Sequence, residues 1–101
     1  MDKDIINILK NNGIDIRYCL DNGKTYYVVS DLFKSLGYKN PSKKVNEMCH
    51  NYRKYQFPTN GGNQYFLCVD TAELIKLIMS FRKNHQFEEL QNHLIYKIIH
   101  S

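Results

Sequence analysis

The sequence predicts an α+β domain in which small antiparallel β-hairpins pack with about five short helices, including a helix-turn-helix-like pair and a wing-like hairpin. Three observations carry this reading. Apolar residues recur at helical spacing in several short segments, and Asn-Gly and Gly-Gly punctuate two β-rich stretches. The chain of 101 residues suffices for one modest core but not for two, so residues 1–101 form a single domain.

The first helix runs from Asp2 or Lys3 to Asn12. Ile5, Ile6, Ile8 and Leu9 give it an apolar face, and Gly13 stops it at the C′ position. Ile14 to Leu20 then alternates, with Ile14, Ile16, Tyr18 and Leu20 on one face, the period of a half-buried strand. Asn22-Gly23 suits a type I′ turn leading into the β-rich TYYVV, which closes a hairpin.

Ser30 is the expected N-cap of a two-turn helix carrying Leu32, Phe33 and Leu36, and Gly37 ends it. Pro41 disfavours helix at Asn40, and Ser42 can cap a further helix reaching Asn51. There Val45, Met48, Cys49 and Tyr52 follow i, i+3, i+4, i+7 and face the core. Lys43, Glu47 and His50 then point outward, flanked by Lys44, Asn46 and Asn51. Two helices joined so closely resemble a helix-turn-helix.

From Tyr55 to Val69 no residue is charged, and KYQFPT, NGGN and QYFLCV read as two strands around a glycine loop. Asp70 and Glu73 have capping-box spacing at the start of a helix striped by Leu74, Ile75, Leu77, Ile78 and Phe81. A last helix from about Gln86 to Ile99 buries Phe87, Leu90, Leu94, Ile95 and Ile98.

Apolar residues at 43% and charged residues at 24% indicate neither global disorder nor a membrane span. The acidic, interrupted N-terminus is unlike a signal peptide, so the expected location is intracellular. Cys19, Cys49 and Cys68 lie far apart without a CxxC pair, which argues for reduced, core-packed thiols rather than a disulfide framework or zinc ribbon.

The net charge of +4 is unevenly spread. Residues 34–54 hold six Lys or Arg against one Glu, a net of +5, and the rest of the chain nets −1. Such clustering is the footprint of a partner with dense negative charge, above all a phosphate backbone.

Candidate chemistry falls away on geometry. Cys49 and His50 are adjacent, and on a helix they point about 100° apart, so no nucleophile–base pair forms. The carboxylates fall at turns, caps or exposed faces, with Asp31 a first-turn dipole partner. His50, His85, His93 and His100 lack metal-ligand spacing, and Gly61-Gly62 lacks the Lys-Ser/Thr of a phosphate loop. Neither a catalytic constellation, a metal nor a cofactor is expected. What remains is a basic, amide-rich and tyrosine-rich surface able to meet phosphates and base edges. Lys43 and Lys44, in a first helical turn where the dipole repels cations, are intelligible if an anion docks there.

At this point GKTYYVVSDLFKSLGYKNPSKKV resembles the signature of the BRO-N domain of baculovirus repeated proteins and bacteriophage antirepressors. The matching positions are Tyr26, Tyr27, Asp31, Leu36, Gly37, Tyr38, Asn40, Pro41 and Val45. GGNQYFLCV and the helix after it resemble the family's Gly-Gly hairpin and apolar helix, and the similarity spans about residues 14–95. Ala72-Glu73-Leu74 stands where the family has Ser-Gly-Leu.

The resemblance implies a DNA-binding module of a large DNA virus or phage, acting in host cytoplasm or nucleus in the first case and bacterial cytoplasm in the second. On that reading Lys39, Asn40, Lys43, Lys44, Asn46 and His50 approach the nucleic acid with the helix from Ser42 to Asn51, and Arg53, Lys54, Asn60, Asn63 and Gln64 form a flanking wing. The DNA is single- or double-stranded, and a homodimer would strengthen a small basic face. The alternative is an antirepressor-type protein-interaction module binding an acidic repressor or host factor.

Overall fold

The two expected hairpins form, and they join into one sheet. The computed structural model describes residues 2–35, 37, 41–80 and 85–99, with the side chains of residues 2–4, 41, 42, 44, 85–87, 97 and 98 outside the description. In chain order the elements are α1 (Asp2–Asn11), β1 (Tyr18–Asp21), β2 (Lys24–Val28), α2 (Val29–Ser35), α3 (Pro41–Met48), β3 (Tyr52–Thr59), β4 (Gly62–Asp70), α4 (Thr71–Ser80) and α5 (His85–Ile99). The sheet is antiparallel throughout, in the order β1-β2-β4-β3. None of the described helices is long and apolar enough to cross a membrane.

Local signals act where the chain places them. Gly13 adopts φ +80°, and Ile14 N–H donates to Leu9 O at 2.8 Å, so the carbonyls at the end of α1 are satisfied by a Schellman-type closure. Asn22 and Gly23, at φ 51° and 79°, provide the two left-handed residues of the type I′ turn. At the start of α4, Asp70 Oδ1 accepts the Glu73 N–H at 2.9 Å.

Both faces of the sheet carry apolar clusters. On one face Tyr27 and Val69 meet Ile5, Leu9, Leu32, Phe33, Val45, Leu74, Leu77, Ile78, Leu90 and Leu94 from all five helices. On the other, Tyr26, Val28 and Cys68 pack with Cys19, Tyr55, Phe57 and Phe66, a cluster without a helical residue. Cross-strand register fixes these sides, since directly paired residues share a face and neighbours alternate.

Several expectations are corrected. Tyr18 and Leu20 lie on the helix side with Ile14 and Ile16, yet they are 48% and 72% exposed because β1 is an edge strand of the sheet; strand pairing begins only at Tyr18. α2 starts at Val29, so Ser30 lies inside it rather than capping it. α3 starts at Pro41, where proline's fixed φ suits the first helical position and no N–H bond is lost. It stops at Met48, not Asn51, because the chain must turn into β3, which starts at Tyr52 instead of Tyr55. Tyr52 is therefore a half-exposed strand residue and not a core anchor of the helix. Cys49 still turns inward, its N–H bonded to Val45 O at 2.7 Å. Ile95, expected in the core, is 44% exposed, since α5 buries only the Leu90 and Leu94 side of that region. Leu36, Phe81, and the side chains of Phe87, Ser42 and Ile98 lie outside the described residues, as does most of the α2–α3 connection.

Candidate nucleic-acid interface

α3 owes its orientation to Val45, which is fully buried, and to Met48 packed against the same core. That anchoring leaves Lys43, Asn46 and Glu47 exposed on the opposite side. The first turn of α3 contains no acidic residue to offset its exposed N–H groups. Lys44 belongs to the same turn, with its side chain outside the described residues, and Lys39 and Asn40 lie outside them altogether. His50 is exposed, but in the link between α3 and β3 rather than on the helix.

The hairpin residues divide between the two faces of the sheet. Lys54 pairs with Leu67 and Asn63 with Pro58, and Leu67 packs against the helical core, so these lie on the helix side with α3. Arg53 pairs with Cys68 and Gln64 with Phe57, which places both on the helix-free side. Asn60 sits exposed in the turn between them.

The two kinds of cation are also in different states. Arg53 Nη1 is 3.5 Å from Asp21 Oδ2, and its guanidinium carbon lies 5.5 Å from the Tyr26 ring centroid. Tyr55 donates to the same aspartate at 2.6 Å, and lost hydration together with that carboxylate pushes its hydroxyl up to about 12. Lys43 and Lys54 have no ion pair among the described residues.

The thiols behave as packing groups. Burial, reinforced by the nearby Glu73 carboxylate, pushes the Cys49 thiol up to about 12. Burial likewise raises Cys68 to about 12, which keeps both protonated and unreactive near neutrality. Glu73 Oε2 is buried without a hydrogen-bond partner, so the expected capping box leaves that oxygen unpaired.

One polar centre escaped the sequence reading. Asp31 does sit in the first turn of α2, as expected of a dipole partner, yet it also accepts two parallel hydrogen bonds from the Arg17 guanidinium at 2.9 Å each. The hints in the sequence were a charged residue inside an alternating strand and the Asn22-Gly23 turn, whose register sets Arg17 opposite Val28.

Comparison with known proteins bears on what this surface serves. No curated protein and no solved structure matches the chain. The family described as BRO family, N-terminal domain, matches residues 15–99, which takes in the whole sheet, α2 to α5 and the basic stretch. The match covers most of the 101 residues and agrees with the Leu36-Gly37-Tyr38 and Asn40-Pro41 signature, so the chain belongs to the BRO family as an N-terminal domain of that family.

Proposed function

We propose that the chain is a non-enzymatic nucleic-acid-binding module that meets duplex DNA with its helix side. Family membership implies a DNA-binding or antirepressor-type domain of viral or phage proteins. The observation that carries the reading here is the shared placement of α3 and Lys54. Exposed Lys43 and Asn46 lie on a helix whose first turn holds no acid, and Lys54 and Asn63 lie on the same side of the sheet. Lys43, Lys44 and Lys54 would meet phosphates, and Asn46 with His50 would reach base edges. The β3–β4 hairpin would act as a flanking wing and the α2–α3 pair as a helix-turn-helix-like element. A role in regulating transcription or replication follows from such a module.

A salt titration with random duplex DNA tests this. With three cationic contacts, Lys43, Lys44 and Lys54, the slope of log affinity against log salt should be roughly −3, and a slope near zero refutes the reading.

A protein-interaction role is favoured by a different observation, the exposed Tyr18 and Leu20 on edge strand β1. An acidic repressor or host factor contacting both β1 and the lysines would be lost with Leu20→Ser, a change that leaves DNA affinity intact. Unchanged capture of such a partner by Leu20→Ser refutes a role for β1. The homodimer is likewise a proposal, tested by sedimentation with and without DNA.

A further inference from the structure

Arg17 touches both α2, the helix beside α3, and the β3–β4 hairpin. Its Nε and Nη2 donate to Asp31 Oδ2 and Oδ1 at 2.9 Å, and its backbone N–H donates to Oδ2 at 2.9 Å as well. Asp31 belongs to the first turn of α2, the helix packed against α3. On its other side the guanidinium carbon lies 4.2 Å from the Phe66 ring centroid and 5.9 Å from that of Phe57. Those rings meet edge to face on β4 and β3, so they belong to the hairpin.

We infer that Arg17 is a positioning residue: by joining Asp31 of α2 to the rings of the β3–β4 hairpin, it fixes α3 relative to that hairpin. Its functional consequence rests on the nucleic-acid reading, because the orientation it holds sets how Lys43 and Lys54 present themselves together. The chemistry requires arginine. A planar fork can bond a carboxylate with two parallel N–H groups while its face lies on an aromatic ring, whereas an ammonium cannot do both. Asp31 also compensates the charge of Arg17 and raises its pKa through that hydrogen bond, so Nε and Nη2 are engaged within the protein.

The competing explanation is that the clamp only adds stability, and a second is that Arg17 contacts phosphate directly. Three variants of the whole chain separate them: Arg17→Lys, Asp31→Asn and the double substitution. Residual dipolar couplings of the α3 and β3–β4 amides are measured first, without DNA, on samples shown by urea titration to be folded. Positioning expects each element to keep its own couplings while the pair departs from the wild-type relative orientation in every variant. An unchanged relative orientation overturns the inference.

Duplex affinity is the second readout. Each single substitution should weaken binding about 10-fold, and the double should lose no more than the worse single, as expected of residues acting as one unit. A phosphate contact predicts the opposite pattern: Arg17→Lys would keep its affinity, and Asp31→Asn would bind more tightly because a negative charge is gone. Either result overturns positioning. A wild type that binds no DNA would refute the proposed function, while the couplings would still decide the role of Arg17.

Discussion

Replacing Lys43 by Ala should weaken DNA binding and stabilise the free fold, two effects of opposite sign from one side chain. Lys43 is the third residue of α3, whose first turn holds no acid, so its charge opposes the helix dipole. Removing it should raise unfolding free energy by about 0.3–1 kcal/mol. In the complex the same charge would replace a condensed counterion. Each such contact contributes about 0.9 to the salt slope, so the loss is roughly 8-fold in affinity near 0.1 M salt and roughly 3-fold near 0.3 M. Eight-fold corresponds to about 1.2 kcal/mol. Lys54→Ala should behave alike in binding, because it shares the helix side of the sheet. Arg53→Ala should change affinity less than about 2-fold and leave the slope intact, since that residue faces the other way and is engaged by Asp21. Fluorescence anisotropy with a labelled duplex at four salt concentrations, paired with urea unfolding, measures both effects. The reasoning is refuted if Arg53→Ala flattens the slope as much as Lys43→Ala does, or if Lys43→Ala destabilises the fold.

Other outcomes follow from packing and burial. Leu77→Ala, at a fully buried position facing the helical core, should cost about 2–5 kcal/mol in urea unfolding, with little change in the m-value. Asp70→Ala removes the acceptor of the Glu73 N–H and should cost about 0.5–2 kcal/mol, while Asp70→Asn should retain most of that. Cys49 and Cys68 are raised from 9.0 to about 12 in the fold, so their protonated forms stabilise it fully below pH 9.0. That contribution is lost as pH climbs from 9.0 towards about 12, and unfolding free energy should drop across that window. In native protein a thiol reagent should label half-buried Cys19 first, with Cys49 and Cys68 modified only on unfolding; mass spectrometry of the adducts reads this directly.

Short-range physics made much of this protein legible from its residues. Gly13, Asn22 and Gly23 occupy left-handed conformations that a positive φ demands, and Asp70 caps α4 through an oxygen three residues from its donor. Leu74, Leu77 and Ile78 are buried because helical spacing alone puts them on one face. The signature around Gly37, Asn40 and Pro41 was enough to point to the family.

Tertiary packing decided what depends on contacts between distant segments. β4 lies between β2 and β3, which turned two hairpins into one sheet, and because β3 starts at Tyr52, Arg53 and Lys54 are successive strand residues on opposite faces. The competition between helix and strand was settled at Met48 by the need of β3 to pair with β4 from Tyr52 onward, and this removed His50 from the helix. Ile95 and Leu20 are apolar in the sequence but exposed in the fold, because a periodic pattern states which face a residue takes and not how far its neighbours reach to cover it. Arg17 and Asp31 met because Arg17 O accepts the Val28 N–H, one residue before α2, and the Phe66 ring reached them because β4 pairs with β2. A residue's own chemistry fixes what it can bond; the chain's long-range closure chooses which partner it gets.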